Sequence, residues 1–281
     1  MRLDAHVHSV VDYTDQDELI KAMNKGGFNG GIIFSHAPKS VSLHWGKTPP
    51  SNKERIETVI KYTDGHKYLF PFLFLDPTEP DAMEQVETSV KLGIIGFKII
   101  CAKHFPCDER AIPVYKKIAS LNKPILFHSG ILYDGKNPSG NYNRPCNFEG
   151  LLEIEKLRFA LAHVSWPWTD ECLSVYGKFE NYLQSSGDKN AAEMFIDTTP
   201  GTPPIYRRDI WKKIFFIGFN LKSNIIYGID TGITGDYNSE YADTVVNNDK
   251  AIFREFLVGE DYWDYICYKN IFRFLGLSED Y

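Results

Sequence analysis

Short apolar runs rich in β-branched and aromatic residues alternate along the chain with amphipathic stretches of helical length. The runs at 2–7, 31–35, 68–75, 94–100, 124–128, 158–163, 193–197 and 224–229 read as strands. The intervening patterns at 15–25, 52–64, 80–92, 109–121, 148–156, 169–185, 205–222 and 238–257 read as helices, and Asn147 offers N-cap chemistry to the fifth. Eight strand-then-helix units in 281 residues average about 35 residues each, the size of a βα unit, and imply a parallel sheet. The expected fold is α/β, a distorted (β/α)8 TIM barrel. A doubly wound open sheet is the alternative, but it usually carries a Gly-rich turn after its first strand. Here that turn is His8-Ser9-Val10-Val11-Asp12. No linker-like, repetitive or low-complexity block interrupts the pattern, so residues 1–281 are expected to form a single domain. The long irregular stretches 37–51 and 129–147 follow strands, which in a barrel places them on the catalytic face.

Composition removes several alternatives. With 31 Lys and Arg against 37 Asp and Glu, the net charge of −6 argues against a dedicated nucleic-acid binder. The mean hydropathy of −0.30 and 43% hydrophobic content suit an ordinary globular chain. The longest apolar runs fall far short of the roughly 20 residues a membrane helix needs. Asp4 and His6 interrupt the start where a signal peptide would need an apolar core, so a cytoplasmic protein is expected. Five scattered cysteines without a C-x-x-C pair suit reduced thiols rather than a disulfide scaffold or zinc finger.

The histidines carry the chemistry. His6 and His8 close the first strand two residues apart, so both imidazoles share one face while Val7 packs outward. His128 ends the fifth strand, His163 the sixth and His36 the second, while His44 and His104 lie in loops that follow strands. Of the eight histidines only His66 falls at the opposite end of the barrel. Asp230 closes the eighth strand at the same rim. Several imidazoles with one carboxylate, and a position left for water, suit a catalytic metal site.

These residues resemble the metal-dependent amidohydrolase superfamily, in its amidohydrolase-related (amidohydrolase 2) branch. The resemblance runs over the whole chain: Asp4-x-His6-x-His8, Gly96-Phe97-Lys98, His128-Ser129-Gly130, His163, Gly228-Ile229-Asp230 and a closing segment from Lys269 to Leu277. It implies that His6, His8, His128 and Asp230 hold the metal, that His163 orients or deprotonates a metal-activated water, and that Asp230 shuttles the proton. The chain departs from the usual His-x-Gly on the sixth strand and from the proline near the eighth-strand aspartate. Here stand His163-Val164-Ser165 and Asp230-Thr231-Gly232.

Lys98 is a charge inside an apolar strand, which is costly unless paired or functional. Three roles compete: a carbamylated bridge between two metals, a donor to site carboxylates, or a strand-end lysine that snorkels to solvent. Asp197, closing the seventh strand, is a candidate support for a ligand or a second metal. For substrate contact the candidates are Arg144 and Tyr142 in the loop after the fifth strand, Trp166 and Trp168 just past His163, and His36. The aromatic run 261–268 suits a terminal helix on the barrel, or a contact between two copies in a homodimer.

The expected function is a metal-dependent hydrolase of a small polar organic substrate, or a decarboxylase or hydratase of a small carboxylic acid using the same site. A divalent metal is expected, zinc first because of the three imidazoles, manganese or iron if the carboxylate dominates, and one ion rather than two. A TatD-like nuclease usually has glutamate where Lys98 stands, and a phosphoesterase of the histidinol-phosphatase type needs further ligands. A non-catalytic binding barrel is the remaining rival.

Overall fold

A computed structural model of the chain describes residues 1–8, 15–41, 48–133, 138–232 and 236–278. Eight parallel strands run in sequence order: β1 (Asp4–His8), β2 (Gly31–Phe34), β3 (Leu69–Phe74), β4 (Gly96–Ile99), β5 (Ile125–Phe127), β6 (Arg158–Leu161), β7 (Glu193–Asp197) and β8 (Ile225–Ile226). The (β/α)8 expectation therefore holds. Strands β8 and β1 close the barrel through a looser seam, in which Ala5 N donates to Tyr227 O and Asp230 N to His6 O at 2.9 and 3.1 Å. Most strands are shorter than their apolar runs, because residues at the ends of those runs leave the ladder, whereas β7 fills its run and β1 extends past its own to His8.

The wall helices are α1 (Gln16–Lys25), α2 (Asn52–Thr63), α3 (Ala82–Leu92), α4 (Ala111–Ser120), α5 (Thr169–Ser186), α6 (Pro204–Phe216) and α7 (Ser239–Glu255). Each follows its strand except after β5. There the expected helix is a 3-10 segment, Pro145–Glu153. Asn147 does not cap it: its side-chain amide donates instead to Asn141 O and Tyr142 O. Pro145 and Gly150 are poor α-formers, and a Cβ at Gly150 would lie only 2.7 Å from Cys107 Sγ, so the segment winds tightly against its neighbour.

Two apolar layers result. One lies between strands and helices and includes Val7, facing outward as its parity requires. The other fills the barrel interior, where Leu3, Ile32, Phe70, Phe72 and Phe195 meet Ile271, Phe272, Phe274 and Leu275. The latter four belong to the terminal helix α9 (Asn270–Leu275), reached through α8 (Glu260–Asp264) and a π-turn over Tyr265–Lys269. Leu3 N donates to Cys267 O and Asn270 Nδ2 to Ile225 O, so this segment plugs the mouth at the strand starts. The aromatic run thus packs inward with Trp263, Ile266 and Cys267 buried. The opposite mouth, at the strand ends, is where His6, His8 and Asp230 lie.

Candidate metal centre

At that mouth one ligand atom each from His6, His8 and Asp230 lies within 4.8 Å of the others. His8 Nε2 is 3.2 Å and His6 Nε2 3.4 Å from Asp230 Oδ1. The local sequence explains the convergence: strand period aims both imidazoles one way, and Asp230 turns out of the strand with φ of 61°. Asp4, at the start of β1 beside this seam, is fully buried and accepts from His6 N, Ile229 N and the Tyr237 hydroxyl. Burial pushes the Asp4 carboxyl up to about 7. At Gly228 an added Cβ would meet Asp4 Oδ1 and His6 N at 2.9 Å, so the seam closes only with glycine there.

Asp197, at the end of β7, reaches across the barrel to His6. Its Oδ2 accepts from His6 Nδ1 at 2.7 Å and its Oδ1 from Thr199 N at 2.8 Å, while Thr199 Oγ1 stands 3.3 Å from the same ring nitrogen. The carboxylate therefore puts the proton on Nδ1 and leaves the Nε2 lone pair facing His8 and Asp230, the usual support of a metal-binding imidazole. Burial raises the Asp197 carboxyl and depresses the His6 imidazole far below its ordinary range, with Lys98 adding to the latter. For Asp230 burial works upward, but the surrounding His6, His8 and His163 outweigh it and hold the carboxyl low.

His163 and His128 extend the cluster. The His163 ring lies 5.2 Å from that of His6 and 5.0 Å from that of His128, so His163 stands between them. His128 does not share the tight group formed by His6, His8 and Asp230. His163, Val164 and Ser165 take φ values of 63, 44 and 54°, a left-handed stretch that costs energy for non-glycine residues and most for Val164. Gly201 presses against the ring, where a Cβ would come within 2.6 Å of Cγ. His128 Nε2 and His163 Nδ1 are both buried with no side-chain hydrogen-bond partner, beside the Asp230 Oδ1 that His6 and His8 approach. Unpaired buried donors and acceptors of this kind are costly, and two ring nitrogens left over in one imidazole–carboxylate cluster fit a bound cation with its water and substrate.

Lys98 does not snorkel. It is 1% exposed, with Nζ 3.4 Å from His6 Nε2 and 5.3 Å from the centre of the Phe34 ring, because its position on β4 points into the barrel. Burial lowers its pKa to about 8. The candidate substrate contacts divide. Arg144 Nε pairs with Glu171 at 2.8 Å and the guanidinium lies over Trp168; Tyr142 packs edge-on to Phe105. Trp166 stacks on Tyr206 at 6.0 Å, facing a groove in the outer wall. His36 is half-buried, and its carbonyl accepts from Arg55. His104 is buried, and His44 lies outside the described residues. Sequence inspection gave no role to Asp4, Thr199, Phe34 or Gly201, each of which also makes contacts with residues distant in sequence.

No family model and no curated protein matches the chain. Solved structures do match along the full length. A probable 2-pyrone-4,6-dicarboxylic acid hydrolase from Acinetobacter baumannii, with citric acid bound, superimposes with a TM-score of 0.62 at 14% identity, covering 98% of this chain and 99% of that one. An amidohydrolase from Burkholderia multivorans gives 0.63 at 10% identity, with 99% and 100% covered. The chain shares the barrel fold of these proteins. A 5-carboxyvanillate decarboxylase from Novosphingobium aromaticivorans, complexed with manganese and 4-hydroxy-3-methoxy-5-nitrobenzoic acid, also gives 0.63, at 8% identity with 99% and 96% covered. At such identities the likeness speaks for the fold alone, a (β/α)8 barrel like that of these amidohydrolases. Among the described residues no helix is long and apolar enough to cross a membrane.

Proposed function

We propose that this amidohydrolase-fold chain is a metal-dependent hydrolase of a small, carboxylate-bearing organic substrate. The observation that carries the reading is the convergence of buried His6 with half-buried His8 and Asp230, beside buried ring nitrogens of His128 and His163 that have no side-chain hydrogen-bond partner. His6, His8 and Asp230 would hold one divalent ion, His128 completing the set. When bound, such an ion supplies Lewis acidity that polarises a substrate oxygen and acidifies water. Asp197 holds His6 in the tautomer that can ligate. Asp230 accepts the proton and passes it to the leaving group, and His163, between His6 and His128, steadies the developing charge. Lys98 is a buried cation beside the cluster and suits a substrate carboxylate. Zinc is the first choice of ion, and manganese, present in the decarboxylase neighbour, the second.

Decarboxylation is the second reading, favoured by the same Lys98. One experiment separates the two and tests both. The protein is loaded with zinc or manganese, dialysed and analysed for metal, then screened against lactones, amides and aromatic carboxylates for acid release and carbon dioxide release. About one ion per chain is expected, with acid release and no carbon dioxide. Carbon dioxide instead selects the lyase. Metal content unchanged when His6 and His8 are both replaced by alanine overturns the site.

A further inference from the structure

Helix α6 turns Arg207, Ile210, Trp211 and Ile214 toward the barrel and leaves a well-ordered stripe outside. Ile205 is 80% and Phe216 62% exposed, although burying either would gain free energy. Asp209 and Lys212 lie between them on the same line, at positions i+4 and i+7 of the series Ile205, Asp209, Lys212, Phe216. At 100° per residue these four project within about 60° of one another, over about 16 Å of helix.

The stripe is palindromic in spacing and in chemistry. The intervals are four, three and four residues, and the order is apolar, acid, base, apolar. Reversing the helix returns the same intervals with acid opposite base. We propose that two copies of the chain pair through antiparallel α6 helices about a two-fold axis between Ile210 and Trp211. Ile205 then meets Phe216 of the second copy and Asp209 meets its Lys212, each contact made twice, as an isologous interface requires. Flanking charges do not compete. Arg208 is engaged by Glu255 and Lys213 by Asp170, the latter at 2.7 Å, whereas Asp209 only approaches Arg208 at 3.8 Å. Exposed Tyr206 and Ile217 widen the two apolar ends, and both line a groove of about 770 Å³ between α5 and α6. Clustered exposed apolar side chains around a charged pair are the signature of an association surface.

The test is sedimentation equilibrium of the full chain from roughly 1 to 100 µM, a range that spans modest interfaces. The 32.2 kDa chain is expected to approach twice its mass at the upper end. Asp209→Lys and Lys212→Asp should each weaken association roughly tenfold, and the double reversal should restore it, because it rebuilds both pairs across the axis. All these positions are exposed, so unchanged thermal melting verifies the fold of each variant. Ile205→Cys mixed with Phe216→Cys should form a disulfide between chains more readily than either variant with itself. A monomer at the highest concentration overturns the proposal, as does a dimer indifferent to both single reversals.

Discussion

Replacing Asp197 by asparagine isolates the support of His6 from the ligands themselves. The side chain is fully buried, and Oδ1 is held by Thr199 N at 2.8 Å, so the asparagine carbonyl takes that place and its amide turns to His6. Where a carboxylate oxygen now accepts from Nδ1 at 2.7 Å, an NH2 would stand, which requires Nδ1 to accept instead. The ring proton moves to Nε2, the atom that faces Asp230. Loss of such a support usually weakens metal binding 10- to 100-fold, or about 1.4 to 2.7 kcal/mol. The metal-free protein behaves oppositely: the substitution removes a buried carboxylate whose pKa is already raised by burial, so its stability should hold or rise slightly. The assay pairs a chelator competition for metal affinity with melting curves of metal-free and metal-loaded protein. Stabilisation by saturating metal should shrink by the same 1.4 to 2.7 kcal/mol as the affinity, because binding and folding are linked. Metal affinity within about twofold of the parent would refute the tautomer argument. A metal-free variant weakened by more than about 2 kcal/mol would show that Asp197 serves the fold instead.

His163→Ala should keep its metal and lose roughly 10²- to 10⁴-fold in turnover, whereas His128→Ala should lose metal as well; stoichiometry and rate measured side by side would transfer the ligand role if His163→Ala sheds metal equally. Gly201→Ala, whose new Cβ would press on the His163 ring, should lower turnover without changing metal content, and an unaltered rate would remove His163 from the chemistry. Arg207→Leu strands buried Asp249, which accepts two bonds from Arg207 at 2.7 and 2.6 Å and one each from Trp211 and Tyr227. Urea unfolding should register a loss of about 3 to 5 kcal/mol, with much of it recovered by Arg207→Leu combined with Asp249→Leu.

The barrel was legible because its information is local. A period of two in the strands and 3.6 in the helices declares which face of each element is buried, and eight repeats leave few closed solutions. The same parity brought His6 and His8 to one point and sent Val7 outward. It failed at 148–156, where a helical-looking pattern containing Gly150 and preceded by Pro145 winds as the 3-10 segment Pro145–Glu153 against Cys107. It also ran most strands too long, though 193–197 matched β7, since apolar character continues beyond the ladder.

What only the tertiary structure decided are the meetings across the barrel. Asp197 touches His6 although 191 residues separate them, and Asp4 ties β1 to the segment after β8 across 225. Lys98 could be placed on an inward parity, but its burial depends on how closely Phe34 and His6 approach it. Arg144, free to reach a substrate by sequence, is taken by Glu171 on a helix 27 residues on. His163 stands between His6 and His128 because three successive left-handed residues carry the chain out of β6, a conformation no propensity favours. Periodicity along a chain specifies the face a side chain occupies. The partner it meets on that face depends on barrel closure, register and seam geometry, which arise only when all eight strands are in place.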